Sequence, residues 1–196
     1  MMTSHKSILA SAFLTALAAV WCTGCPQMAI VQGATMVAGA AADDRTLDQQ
    51  AADLDVKSTV EGALLNTNAT LAAKVNVDVY LGRIMLTGVV GSWDARRQAV
   101  DITRQAAPGH EIFDDMEVAI GNSIADSATD FAVNKDLGVN LLADEGLASQ
   151  SFQHRVVNGT AFIMGQAQTE AQIDEARRAA LQTPGINRVV THILLR

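Results

Sequence analysis

Beyond residue 25 the sequence contains no cysteine, because Cys22 and Cys25 are the only two in 196 residues. Whatever folds downstream can hold no disulfide and no thiolate metal site, and thiol redox chemistry is excluded there. Aromatic residues are scarce, at 4% of the chain against 49% hydrophobic, so a packed core must be built from aliphatic and alanine side chains. Positive charge is also short: 14 Lys and Arg face 21 Asp and Glu, for a net charge of −7, and removal of a leader containing Lys6 would make it −8. Nucleic-acid recognition needs a basic footprint, so no nucleic-acid partner is expected.

Catalytic patterns are missing too. His5, His110, His154 and His192 show no spacing that would set two of them on one metal-binding face. The sequence has no Gly-x-Ser-x-Gly elbow, no phosphate-cradling glycine-rich loop and no dinucleotide fingerprint. The adjacent carboxylates Asp114 and Asp115 read as a solvated turn before a strand. A non-enzymatic protein without cofactor or metal is the expectation.

The mostly apolar run near the N-terminus, from Ile8 to Trp21, is shorter than the roughly 20 residues that a membrane-crossing helix needs. The run from Ile8 to Trp21 follows Lys6 and leads into Cys22-Thr23-Gly24-Cys25, which is the anatomy of a signal peptide. Those last four residues resemble the bacterial lipobox, in which small residues precede a cysteine that is lipidated and becomes the mature N-terminus. The resemblance implies a lipoprotein signal peptide over residues 1–24, acyl chains such as palmitate on Cys25, and a tether over 25–50. Cys22 stands where the lipobox usually has an aliphatic residue, and it is itself unsuited as the lipid site because the bulky Trp21 precedes it. The alternative is an ordinary secretory leader cut near Ala38-Gly39-Ala40, which would leave a soluble periplasmic protein. Residues 26–42 carry no charge and read either as a tether lying near the bilayer or as a disordered spacer.

The body is a repeat. Val75-Asn76-Val77-Asp78-Val79-Tyr80, Leu81-Gly82 and Arg83-Ile84-Met85-Leu86-Thr87-Gly88 recur 77 residues later as Phe152-Gln153-His154-Arg155-Val156-Val157, Asn158-Gly159 and Thr160-Ala161-Phe162-Ile163-Met164-Gly165. Alternating apolar residues around a two-residue glycine-containing centre predict a β-hairpin with a type I′ turn in each copy. Upstream, Val56, Val60 and Leu64 fall on Val133, Leu137 and Leu141, and their spacing stacks each trio on one helical face. Downstream, residues 92–107 and 169–183 carry helical patterns that stop at Pro108-Gly109 and Pro184-Gly185, where the offset drops to 76. A last apolar stretch follows each stop, at 111–120 and 187–195.

The order helix, strand, strand, helix, strand thus occurs twice, over residues 51–121 and 122–196. A right-handed crossover from the second strand to the third puts both helices on one face of a three-stranded mixed sheet. The predicted fold class is α+β, two tandem αββαβ domains, each small enough that packing one on the other would support its core. Ser92 is the expected cap of its helix, and Trp93 is read as packing at the domain junction. Arg96-Arg97 and Arg177-Arg178 are read as solvated helix faces, and Gly82, Gly88, Gly159 and Gly165 as backbone devices.

This pattern of helix, glycine-centred hairpin, strand ending in glycine and helix closing on Pro-Gly resembles the BON domain, once in each half. With the lipobox ahead of it, the chain is similar to dual BON-domain lipoproteins of the Gram-negative outer membrane. The resemblance implies a periplasm-facing protein, held in the outer membrane by acyl chains, that binds anionic phospholipid such as phosphatidylglycerol or cardiolipin and helps keep the envelope intact. It also implies lipid contact by the first helix of the second copy, through an exposed aromatic near its start. Phe131 or Ala132 matches that position, with Lys135 one turn on. At 100° per residue Phe131, Lys135, Gly138 and Leu142 fall on a face away from Val133, Leu137 and Leu141, a face that meets either lipid or repeat one. Lys135 is outnumbered there by Asp126, Asp130, Asp136, Asp144 and Glu145. Two alternatives stand beside this reading: a soluble periplasmic stress protein or chaperone, and an adaptor for other envelope proteins.

Overall fold

The computed structural model describes residues 44–119, 127–144, 146–147 and 152–196. Cys25, the leader and the tether up to residue 43 lie outside the described residues. In repeat one, α1 (Leu47–Thr67) is followed by a short α2 (Ala69–Ala72), the hairpin strands β1 (Val75–Tyr80) and β2 (Arg83–Val90), α3 (Trp93–Ala106), and two short strands β3 (Ile112–Asp114) and β4 (Glu117–Val118). Repeat two consists of α4 (Ser127–Ala143), β5 (Phe152–Val157), β6 (Thr160–Ala167), α5 (Glu170–Gln182) and β7 (Arg188–Leu195). The predicted order of elements is present twice, and α1 begins inside the stretch read as tether.

Local chemistry explains where the helices start. Thr46 and Gln49 form a reciprocal capping box at α1, Ser92 Oγ accepts from Ala95 N at 3.1 Å to cap α3, and Thr169 Oγ1 accepts from Gln172 N at 3.3 Å to cap α5. Each satisfies a donor that the first turn leaves without a partner inside the helix. Asn68 does the same for α2, a turn of helix that the sequence pattern did not announce.

Within each sheet β1 and β2, or β5 and β6, pair antiparallel, and the last strand joins β2 or β6 in parallel. Ile84 faces Ile112, and 77 residues later Ala161 faces Val189, so the offset lost at the Pro-Gly stop is regained before β7. The single strand expected over 111–120 is interrupted at Asp115 and Met116. Met116 is buried in the core under the helices, while Asp115 turns its carboxylate to the other repeat.

Strand alternation sorts the side chains into three cores. Val75, Val77, Val79, Ile84 and Leu86 pack beneath α1 and α3; Val156, Ala161 and Ile163 pack beneath α4 and α5 with Leu137, Leu141, Ala176 and Ala180. The opposite sheet faces supply Tyr80, Met85, Val157, Phe162 and Met164 to a third cluster between the repeats. The layers therefore run helices, sheet, sheet, helices, and each repeat covers a sheet face that would otherwise expose large apolar side chains to water.

Both hairpins turn as the sequence predicts, with positive φ at two successive residues: 51° and 72° at Leu81 and Gly82, 48° and 70° at Asn158 and Gly159. Leucine is an unusual occupant of that region, whereas asparagine tolerates it. The compensation comes from Asp53, a buried residue of α1, whose carboxylate accepts from Leu81 N at 2.8 Å and Gly82 N at 2.7 Å. Arg45 Nη1 donates to the same carboxylate at 2.7 Å. Asp130, 77 residues on, repeats the device with Asn158 N at 3.0 Å and Gly159 N at 3.4 Å.

Candidate functional site

Helix α4 is held from three directions. Val133, Leu137 and Leu141 lie in the core of repeat two. Along the flanks, Asp130 reaches the hairpin turn, Asn134 Oδ1 meets His154 Nδ1 at 3.0 Å, and Asn140 Nδ2 donates to Thr183 Oγ1 at 2.9 Å. Gly138 sits against the His154 side chain: a Cβ there would come within 2.9 Å of His154 Nε2, so glycine leaves room for the imidazole beneath the helix.

The remaining face is uncovered. Phe131 is 74% exposed, Leu142 66% and Val139 57%, and Ala132 and Lys135 are exposed beside them. A single exposed apolar residue is ordinary, but three large ones in a row on one helix mark a contact surface. Of the residues assigned to this face by angle, Phe131, Lys135 and Leu142 share it, while Gly138 is turned to His154. Val139 was missed, although 100° per residue places it beside Lys135. The face does not pack on repeat one. Its acidic surroundings are also thinner than a count suggests, because Asp130 and Asp144 accept from backbone amides, which leaves Asp136 as the exposed carboxylate; Asp126 and Glu145 lie outside the described residues.

Repeat one carries a counterpart. Leu54 and Leu65 on α1, 63% and 59% exposed, stand 77 residues before Phe131 and Leu142. Neither was singled out from sequence, though the repeat offset alone identifies them.

Three sequence expectations are corrected. Trp93 is 58% exposed, with the Arg96 guanidinium 5.6 Å from its ring centroid, and it takes no part in the cluster between the repeats. Arg96 is not simply solvated, because its Nε donates to the Asp114 carboxylate at 2.8 Å and its Nη2 to Asp114 O at 2.8 Å. Asp114 is accordingly the ion-pair partner of Arg96 and Asp115 the hydrogen-bond partner of His192, rather than a solvated turn. Arg97, Arg177 and Arg178 are exposed as expected, each beside a carboxylate one helical turn earlier.

His154 links this helix to pH. Burial pushes its imidazole below the ordinary histidine range, the Arg155 guanidinium acts in the same direction, and Asp78 opposes them. With a folded-state pKa below the unfolded one, the unfolded chain takes up the proton first as pH falls. Stability from neutral His154 is therefore complete above about pH 6.5 and is lost as pH falls from there toward the folded-state value. The thermal midpoint should drop between about pH 7.5 and about pH 5.5, and by less in His154→Gln; equal drops in both proteins would assign the effect to other groups.

Known proteins share this architecture in sequence. The BON domain family matches residues 52–120 and 129–196. The outer membrane lipoprotein DolP of Haemophilus influenzae is 25% identical over 175 residues, covering 88% of this chain and 89% of that protein. An uncharacterized protein in the gshII 5′ region of Anaplasma centrale is 24% identical over 125 residues, 63% of this chain and 83% of its own length. The 21 kDa hemolysin of Actinobacillus pleuropneumoniae is 24% identical over 118 residues, 60% of each chain. With both repeats matched, over more than half of its length, the chain belongs to the BON domain family.

Proposed function

We propose that this protein is a membrane-associated component of the bacterial envelope, anchored through Cys25 to the outer membrane and facing the periplasm, where α4 of repeat two binds anionic phospholipid without catalysis and so supports envelope integrity. The observation that carries the reading is the uncovered row Phe131, Val139 and Leu142 with Lys135 among them. Such a face suits the boundary between headgroups and acyl chains, where apolar side chains insert and a lysine meets phosphate. The likeness to a lipoprotein of the outer membrane and to a hemolysin supports a membrane as the target.

One lysine contributes only about 1 kcal/mol at an anionic surface, so insertion of the apolar side chains must supply most of the affinity. Binding should then be weak without the anchor and only mildly sensitive to salt. In a protein beginning after residue 42, Phe131→Asp with Leu142→Asp should weaken binding to micelles containing phosphatidylglycerol by roughly 100-fold, from about 3 kcal/mol of lost burial, and leave the circular dichroism spectrum unchanged. Binding that survives both substitutions, or a parent protein that never binds, would sink the assignment.

A further inference from the structure

Two of the polar contacts between the repeats join equivalent positions, while Arg83 with His192 and Glu117 with Asn158 and Arg188 lie to either side of them. Arg155 Nη2 and Nε donate to Asp78 Oδ1 and Oδ2 at 2.8 and 3.0 Å, and positions 78 and 155 are the same position of the two repeats, 77 residues apart. His192 Nε2 lies 2.6 Å from Asp115 Oδ2, and 115 and 192 are again 77 apart. The apolar cluster agrees: Tyr80 and Val157, Met85 and Phe162, and Phe113 and Val190 are equivalent pairs, and all six belong to it or pack against it.

A position that meets its own equivalent lies on or near a two-fold axis, as in the isologous interface of a symmetric dimer. The two self-meeting positions of repeat one, 78 and 115, lie in and beside its two edge strands, β1 and β3. Asp78, Met85 and Phe113 are register neighbours on β1, β2 and β3, and Asp115 follows Phe113 by two residues. Asp78, Met85 and Phe113 form a line across the strands, with Asp115 just past the end of β3, and an axis lying between two face-to-face sheets runs close to such a line.

On such an axis like residues meet like. Two copies of the repeat-one face would set Asp78 on Asp78 and Asp115 on Asp115; two copies of the repeat-two face would set Arg155 on Arg155. Asp78 is 4% exposed, and like charges brought together at so buried a site are strongly unfavourable. The chain instead carries a carboxylate with a guanidinium at the first place and a carboxylate with a hydrogen-bonding imidazole at the second. We propose that the outer sheet face of each BON repeat is an isologous pairing surface, and that Asp78–Arg155, by opposite charge, and Asp115–His192, by a hydrogen bond between unlike side chains, sort it so that repeat one pairs with repeat two and not with another repeat one. These pairs are specificity determinants of the repeat interface, separate from the helical face that meets lipid.

Exchange across the axis tests this in the full chain. Lys57 is first replaced by Asn, because its Nζ lies 3.6 Å from Asp78 Oδ1 and would face an introduced guanidinium; asparagine is what repeat two carries at the equivalent position, Asn134. In that background Arg155→Asp sets two carboxylates together. It should lower the thermal midpoint by about 10 °C and speed amide exchange over residues 77–80 and 155–157 by about tenfold. Adding Asp78→Arg restores the pair in the opposite sense and should recover most of both losses. A double variant no better than Arg155→Asp overturns the axis, since positions related by a two-fold axis give the reversed pair the same backbone geometry as the original. An unchanged midpoint in Arg155→Asp overturns the sorting role of the charges. If Arg155→Asp fails to fold, the exchange variant decides alone: folding with protected sheet amides supports the proposal, and failure to fold overturns it.

Discussion

Asp53→Ala is expected to destabilise the protein by about 3–5 kcal/mol, the range for breaking a buried ion pair, and to lower its thermal midpoint by roughly 10 °C. The substitution removes the carboxylate partner of Arg45, itself only 9% exposed, and leaves the Leu81 and Gly82 amides without their acceptor. It also uncovers strain that the carboxylate now offsets, since Leu81 holds a φ of 51° that leucine rarely adopts. The equivalent change in repeat two should do far less. Asp130 is half-buried, its two bonds are 3.0 and 3.4 Å long, and Asn158 accepts positive φ readily, so Asp130→Ala should cost about 1 kcal/mol. Chemical denaturation of the two variants checks the difference, and equal losses would show that the strained leucine and the arginine contribute nothing.

Cys25→Ala, expressed with the native leader, should move the protein from the membrane to the soluble periplasmic fraction almost completely. Each buried acyl CH₂ contributes about 0.8 kcal/mol; one chain anchors only marginally, and the three of a lipidated cysteine make detachment negligible. The row on α4 has three large apolar side chains, each worth about 1.5–3 kcal/mol when fully buried and less when partly inserted, so it cannot replace the anchor. Mass measurement of the mature N-terminus separates the outcomes: a variant that stays with membranes after a high-salt wash, or a wild-type chain that begins near residue 40 without acyl groups, would remove lipidation from the account.

The two predictions differ in how far each could be read without coordinates. Cys25 is known only from a local pattern, a short apolar run ending in Gly24-Cys25. Asp53 was invisible by comparison, because one aspartate in an amphipathic helix looks like any solvated charge until the hairpin is folded under it. The offset of 77 did align Asp53 with Asp130, but alignment shows that a residue recurs and not what it touches.

What the sequence by itself determined is the content of each repeat: the helix cap at Ser92, glycine-centred turns at Gly82 and Gly159, the core trios Val56-Val60-Leu64 and Val133-Leu137-Leu141, and the mixed sheet with its helices on one face. All of these rest on interactions within a few residues or on a simple period, so the chain carries them in its local order. Only the tertiary structure decided that Trp93 faces water and not the junction, that Asp114 and Asp115 serve Arg96 and His192, and that Gly138 lies against His154. The pairing of Asp78 with Arg155 belongs with these. Which side chains meet across two sheets depends on the twist and relative rotation of surfaces built from distant segments, and no spacing along the chain encodes that rotation.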